Sequence, residues 1–148
     1  MTRRIVRQDL LLETHGLLVH GCNAQGKAGA GIAYQLYRRY PEAFAPYFAS
    51  WQAGTLRAGQ LYHHRVNEHL VIAHAITQTY YGRDPARVYV ELPAITQAFT
   101  QVSALALATG LPVKLPLIGC GLAGGQWSDI GPLIVAALDP SLDVTLFV

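Results

Sequence analysis

The chain has 148 residues, 51% of them hydrophobic and 14% charged, so it is long enough for one domain with a sizeable core and too short for two ordinary domains. Its formal charge of +2 comes from 11 basic and nine acidic side chains. The basic residues are scattered along the chain, and a chain without a basic run is not typical of proteins that track a nucleic-acid backbone. No stretch approaches the ~18 apolar residues of a membrane span, and Asp9 and Glu13 interrupt the early apolar run, so we expect a cytoplasmic protein without a membrane partner.

Apolar periodicity alternates between strand-like and helix-like segments along the whole chain. In chain order, the pattern predicts strands at 4–7 and 17–21, helices at 31–39 and 41–53, strands at 60–65 and 69–76, a helix at 89–109, a strand at 113–118, a helix at 126–138 and a strand at 143–148. Several of these strands are apolar throughout, which is typical of strands covered by helices on both faces. The sequence therefore predicts an α/β protein with a central sheet and three layers.

Three loops follow predicted strands, where ligands bind in open α/β sheets. The first, HGCNAQGKAGAGIA at residues 20–33, contains four glycines and enters a helix near Gly31. Such glycines let the backbone approach a ligand, and a helix N-terminus offers amides to an anion; the alternative is that they only shape a turn. The third loop, AHAITQTYYGRD at residues 73–84, places Thr77 and Gln78 before two tyrosines, which form either a ligand wall or a packed rim.

The second loop, LPLIGCGLAGGQW at residues 115–127, contains a GxGxxG pattern between a predicted strand and a predicted helix. A dinucleotide-binding unit would need an acidic residue at the end of the following strand, whereas Asp139 precedes that strand. A nicotinamide-dependent oxidoreductase is therefore disfavoured. A loop that holds phosphate remains.

Cysteine and histidine residues give no sign of a disulfide or of a cofactor. Cys22 and Cys120 each lie beside glycine at the end of a predicted strand, and we expect both to be free thiols. His20 and Cys22 share one face of a strand, but the sequence shows no third metal ligand beside them. We therefore expect neither a metal nor another cofactor.

Taken in order along the chain, RQDLL, HGCNAQGKAGAGIA and IGCGLAGGQW resemble the macrodomain family of ADP-ribose-binding proteins. The GxGIA-type loop resembles that of one branch of the family. This branch includes yeast-type ADP-ribose-1''-phosphate phosphatases, terminal ADP-ribose glycohydrolases and DarG-type antitoxins. This resemblance implies a single macrodomain over residues 1–148, with a three-layer α/β/α fold and a mixed sheet of about six strands.

The resemblance also implies a binding site. Asp9 would accept a hydrogen bond from the adenine amino group, and Leu10 beside it would also contact the ligand. Tyr81 or Asp84 would lie near the distal ribose. Amides from the two glycine loops would close on a diphosphate from two sides. The residues concerned are Gly29, Ala30, Gly31 and Ile32 in one loop and Gly119, Cys120, Gly121, Leu122, Ala123 and Gly124 in the other.

Two departures from these relatives limit the chemistry that the resemblance implies. The lysine-dependent members of the branch have a nucleophilic lysine after the "IT" of the central strand, and the glycohydrolase has an aspartate in the second phosphate loop. This chain has Gln78 and Ala123 there. Since an amide cannot form a Schiff base and alanine cannot transfer a proton, the covalent lysine route is closed at these positions. Lys27 could reach the site from the first loop, but we interpret it as a solvated loop lysine.

The function expected from this pattern is binding of ADP-ribose and its slow hydrolysis from ester-linked, mono-ADP-ribosylated substrates. Water would be held by the substrate's own diphosphate together with Asn23 and Gln78, since proximity and fixed dipoles can replace a dedicated base. His20 is either a general acid or base or a structural histidine. The alternatives are an ADP-ribose-1''-phosphate phosphatase and a non-catalytic reader of ADP-ribose. We expect a monomer whose partners are ADP-ribose or ADP-ribosylated protein or nucleic acid.

Overall fold

The computed structural model describes residues 3–148, which form a six-stranded mixed sheet with helices on both faces. The order across the sheet is β1-β6-β5-β2-β4-β3; only β3 and β4 pair antiparallel, and every other neighbouring pair is parallel. The strands are β1 (Arg3–Val6), β2 (Gly16–Asn23), β3 (Leu61–Asn67), β4 (Leu70–Gln78), β5 (Val113–Leu115) and β6 (Val144–Phe147). The predicted α/β fold with a central mixed sheet is confirmed.

Four α-helices complete the layers, and two of the predicted helices begin several residues later than their sequence pattern indicated. They are α1 (Gly31–Arg39), α2 (Ala45–Gln52), α3 (Leu92–Thr109) and α4 (Trp127–Ala137), with 3-10 turns at Leu10–Leu12 and Pro41–Phe44. The predicted helix at 41–53 opens as one of these 3-10 turns. The predicted helix at 89–109 starts at Leu92, because Glu91 is still extended. None of the helices in residues 3–148 is long and apolar enough to cross a membrane.

Side chains along β2 point alternately to the two faces of the sheet, and they contribute to a separate core cluster on each face. Leu17 and Val19 face a cluster built with α3 and α4, whereas Leu18 and Cys22 face a cluster built with α1, α2 and the second 3-10 turn. Full burial of a large apolar side chain contributes ~1.5–3 kcal/mol, and each cluster packs one helical layer against the sheet. Because His20 lies between Leu18 and Cys22 in this alternation, its side chain belongs to the layer beneath α2.

The sheet order places the ends of three strands beside one another. β2 lies between β5 and β4 and is parallel to both, so all three carboxyl ends reach the same edge. Strand β5 stops at Leu115, where Pro116 lacks the N–H that would continue the ladder, and the predicted strand at 113–118 is shorter than expected for that reason. The loops that follow β2, β4 and β5 therefore surround one crevice.

Candidate functional site

A cleft of about 780 Å³ lies at the carboxyl ends of β2, β4 and β5. The structure brings most of the predicted site residues to its walls: His20, Asn23, Gly29, Ala30, Gly31, Ile32, Gln78, Tyr81, Gly119, Gly121, Leu122 and Ala123. Thr77 and Arg83 also line it, although no motif in the sequence pointed to a role for either residue. A second groove of about 660 Å³, between α4 and the edge of the sheet at β1, is almost wholly apolar and contains none of the predicted residues.

The charges of the cleft suit an anion. Lys27 and Arg83 line it, and no aspartate or glutamate is among the lining residues in the described part of the chain. An anionic ligand would therefore meet two cations and no carboxylate. For the same reason the cleft offers no carboxylate as a general base.

The first glycine loop ends in a helix N-terminus that no side chain caps. Ala30 is the N-cap of α1 and makes no side-chain capping hydrogen bond, so the first amides of the helix, including those of Gly31 and Ile32, have no partner within the helix. Gly31 has a φ of +61°, in the left-handed region that favours glycine. A Cβ added at Gly29 would meet no protein atom within 4 Å, which leaves room beside the backbone there.

The second glycine loop divides its N–H groups between its own turns and the cleft. The amides of Cys120, Gly124 and Gly125 donate to Leu117, Gly121 and Gly119. Those of Gly119, Gly121, Leu122 and Ala123 have no acceptor among the hydrogen bonds of residues 3–148, and all four of these residues line the cleft. The loop is anchored by Ala123, whose carbonyl accepts from the amide of Tyr89 at 2.7 Å.

Asn23 lies at the end of β2 with its amide group held in one orientation. Its Oδ1 accepts from the backbone amides of Gln25 (3.0 Å) and Lys27 (3.3 Å) and from the Tyr47 hydroxyl (3.0 Å). Its Nδ2 donates to the Lys27 carbonyl at 2.9 Å. The second Nδ2 hydrogen has no acceptor in the described part of the chain and is left for a ligand.

Gln78 lies beside Asn23, because the two residues are register partners at the ends of β4 and β2. Its Nε2 donates to the carbonyl of Tyr80 at 2.6 Å. This hydrogen bond identifies the nitrogen of the side-chain amide, so Oε1 is the atom that can accept from a ligand or from water. The neighbouring Asp84, a further candidate in the sequence, does not line the cleft; its carboxylate accepts from the amide of Ala86.

His20 is part of a buried chain of hydrogen bonds. His74 Nε2 donates to the carbonyl of Ala43 at 2.7 Å, so His74 Nδ1 is the acceptor for His20 Nε2 at 2.6 Å. Cys22 Sγ lies 3.7 Å from both ring nitrogens of His20, of which Nδ1 is the one left to accept from the thiol. Burial, followed by the neighbouring His74, holds the pKa of His20 well below its usual range. With 1% of its surface exposed, His20 fits the structural interpretation better than the acid–base one.

His20, Cys22 and His74 are also the side chains that could form a metal site. His74 is the third potential ligand that the sequence did not reveal, and the ligand atoms of His20, Cys22 and His74 all lie within 4.8 Å of one another. However, 2.6 Å between the two imidazole nitrogens is a hydrogen-bond distance, whereas two nitrogens on one tetrahedral zinc would be about 3.3 Å apart. Burial also raises the pKa of the Cys22 thiol, which disfavours the thiolate that a metal requires. The residues fit a hydrogen-bonded chain rather than a metal site.

Four predicted binding residues are not among those that line the cleft. Asp9 is exposed and its Oδ1 caps the first 3-10 turn by accepting from the amide of Leu11, while Leu10 is buried in the core beneath α1. Cys120 and Gly124 belong to the second loop but use their amides within it. A role for Asp9 in reading adenine remains a prediction.

Comparisons with known proteins gave a curated relative and solved structures with the same fold, but no family model. No family model matches the chain. The DNA ADP-ribosyl glycohydrolase of Mycobacterium tuberculosis (strain ATCC 25618 / H37Rv) is 27% identical over 144 residues, which cover 94% of this chain and 40% of that protein. The chain thus spans about two fifths of that relative's length.

Two solved structures share the fold over almost the entire chain. A macrodomain protein from Streptomyces coelicolor is 28% identical with a TM-score of 0.82, covering 99% of this chain and 98% of that one. The macrodomain of Mycobacterium tuberculosis DarG is 24% identical with a TM-score of 0.84, covering 99% of this chain and 97% of that one.

Proposed function

We propose, from the premise that this chain has the macrodomain fold, that it binds ADP-ribose in the cleft and hydrolyses ADP-ribose from ester-linked, mono-ADP-ribosylated substrates. Water attacks directly, without a covalent lysine intermediate. The name of the mycobacterial relative, a DNA ADP-ribosyl glycohydrolase, supports an ADP-ribosyl hydrolase.

The observation that carries the proposal is the pair of glycine loops with unpaired N–H groups on the walls of one cleft. Gly31 and Ile32 contribute the N-terminal amides of α1, and Gly121 and Leu122 contribute amides from the second loop. Main-chain amides at a helix N-terminus and in a glycine-rich turn are the groups that bind phosphate oxygens. Two such sets facing one cleft suit a diphosphate better than a single phosphate.

The reaction needs only a positioned water and a good leaving group. The oxygen of water bonds to the anomeric carbon of the distal ribose, the bond from that carbon to the ester oxygen breaks, and the acceptor leaves as a carboxylate. The proton of the water passes to a diphosphate oxygen of the substrate and then to solvent. Gln78 Oε1 accepts a hydrogen bond from this water, and the free Nδ2 hydrogen of Asn23 fixes a hydroxyl of the distal ribose.

Calorimetry and a substrate panel test the proposal. The protein should bind ADP-ribose and release it from an ADP-ribosylated glutamate peptide, and the panel should also include serine-linked, arginine-linked and thymidine-linked ADP-ribose and ADP-ribose 1''-phosphate. Absence of ADP-ribose binding would overturn the proposal. Release of inorganic phosphate from the 1''-phosphate, with no release from the other substrates, would identify a phosphatase instead.

Isotope labelling and chemical trapping test the route. In ¹⁸O-labelled water, attack at the anomeric carbon leaves the released glutamate carboxylate unlabelled, whereas attack at the acyl carbon labels it. Borohydride should trap no adduct, because a direct water attack forms no Schiff base. A trapped adduct that disappears in Lys27→Met would assign a nucleophilic role to the lysine of the first loop and would refute the proposed mechanism.

A non-catalytic reader of ADP-ribose is the second candidate. The cleft contains no carboxylate among its described lining residues, and its histidine is buried in hydrogen bonds with His74 and Cys22. A dedicated general base supplies ~10²–10⁴-fold, so its absence predicts slow turnover or none. Tight ADP-ribose binding without release from any member of the panel would favour the reader.

A further inference from the structure

Helix α2 contacts the turn that carries Asn23 and provides a tyrosine hydroxyl that donates a hydrogen bond to it. Tyr47 is fully buried in the core beneath α2, yet its Oη reaches the backbone carbonyl of Asn23 at 2.6 Å and the side-chain Oδ1 at 3.0 Å. Burial is the main cause that raises the pKa of Tyr47, and the neighbouring Cys22 adds to it. The hydroxyl therefore remains a hydrogen-bond donor across the physiological range.

Tyr47 and the turn together fix the Asn23 amide. The single hydroxyl hydrogen of Tyr47 is shared between the backbone carbonyl of Asn23, 2.6 Å from Oη, and the side-chain Oδ1, 3.0 Å from Oη, so it fixes where the residue lies, while the backbone of the turn fixes which way the amide points. Three donors surround Oδ1: the hydroxyl of Tyr47 and the backbone amides of Gln25 and Lys27. Rotating the amide by half a turn would place its NH₂ group against those two backbone N–H groups and would separate Nδ2 from the Lys27 carbonyl. Of the three donors, only the Tyr47 hydroxyl comes from outside the turn itself.

A second residue of α2, one helical turn further on, contacts the same turn. Gly26 has a φ of +68°, and a Cβ added there would lie 2.5 Å from Trp51 Cγ, so the indole lies directly against the backbone of the turn. Tyr47 and Trp51 are spaced four residues apart and share one side of the helix. Together they hold the turn at Asn23 and at Gly26.

We propose that Tyr47 is a positioning residue, which holds the Asn23 amide so that its free Nδ2 hydrogen meets the distal ribose. The inference rests on the proposed function, since Asn23 acts there on the substrate. Tyr47 is remote from the reacting atoms and acts only through Asn23. Its hydroxyl should therefore affect the rate of the chemical step more than the binding of the nucleotide.

The test compares Tyr47→Phe with a matched control, Tyr37→Phe. The Tyr37 ring packs against Phe44 and Phe48, as that of Tyr47 does, but Tyr37 is partly exposed and its hydroxyl makes no hydrogen bond in the described part of the chain. For release of ADP-ribose from the esterified peptide, Tyr47→Phe should lower kcat about 10-fold while KM changes less than about twofold. Tyr37→Phe should leave both constants unchanged. Equal constants for the two variants, in an active protein, would overturn the inference.

A readout in the free protein separates this inference from the proposed function. The side-chain NH₂ signals of Asn23, assigned with Asn23→Ala, should shift in the ¹⁵N spectrum of Tyr47→Phe and stay in place in Tyr37→Phe. The unmodified protein should show a slowly exchanging Tyr47 hydroxyl proton, which tests the hydrogen bond even if the variant does not fold. Unmoved Asn23 signals or a rapidly exchanging hydroxyl would refute the role of Tyr47. Failure of the unmodified protein to bind or release ADP-ribose would instead refute the proposed function.

Discussion

Lowering the pH from about 7.5 to about 5 should destabilise the folded protein, because two neutral imidazoles are buried together beneath α2. Burial is the main cause that lowers the pKa of His74 from 6.5 to about 4. The hydrogen bond that its Nε2 donates to the Ala43 carbonyl opposes this shift, and His64 and His63 lower the pKa further. His20 is held well below its usual pKa by burial and by His74. Protonation of His74 at Nδ1 would break the hydrogen bond that this atom accepts from His20 Nε2. A proton on His20 Nδ1 would keep that bond but would bury a positive charge beside Cys22.

The size of the effect follows from the two pKa values of His74. The unfolded chain binds the proton with a pKa of 6.5 and the folded chain with a pKa of about 4. The stability is therefore complete above about pH 6.5 and is lost as the pH falls from there towards 4. At about 1.36 kcal/mol per pKa unit, His74 accounts for about 3 kcal/mol over the whole range and about 2 kcal/mol by pH 5. The His20 imidazole adds to this loss in the same direction.

Urea unfolding followed by circular dichroism at several pH values between about 7.5 and 5 measures this loss. His74→Gln keeps a donor for the Ala43 carbonyl and removes one titrating ring, so its stability should depend less on pH than that of the unmodified protein. His69→Gln, at an exposed turn, is the control and should reproduce the unmodified pH dependence. A loss below about 0.5 kcal/mol in the unmodified protein would show that the imidazoles are not buried as a neutral pair.

Three further predictions concern the cleft. Gly121→Ala should leave the unfolding free energy unchanged, because the added Cβ would meet no protein atom within 4 Å. The same variant should bind ADP-ribose about 10-fold more weakly in calorimetry, and unchanged affinity would place the diphosphate elsewhere. Gly119→Ala should lower the free energy of unfolding in urea by about 1–3 kcal/mol, because the φ of Gly119 is +78° and the added Cβ would lie 2.9 Å from Ile130 Cδ1. An unchanged free energy of unfolding would contradict this packing. Gln78→Ala should lower ester hydrolysis by about 10²-fold with ADP-ribose still bound, and Asn23→Ala should lower it by a similar factor; full turnover in either variant would refute the assigned roles.

The local structure and the walls of the cleft could be read from the sequence. The bounds of α1 at Gly31–Arg39 match the prediction, because apolar spacing and the following Pro41 are signals within a few residues of each other. Glycine-rich loops after two predicted strands indicated which backbone segments would line a ligand site. The resemblance to macrodomains drawn from those loops is confirmed by the solved structures that share the fold.

Tertiary structure decided which polar groups are available. The sequence could not tell that His20 meets His74, 54 residues away, or that a hydroxyl from α2 holds Asn23. It also could not tell which amides of the second loop are used in its own turns. Periodicity and motifs report on neighbours along the chain, whereas hydrogen bonds between β2, β4 and α2 depend on strand register and helix placement. The residue types at the site were therefore set locally, but which atoms remain free for chemistry was fixed only when distant segments packed together.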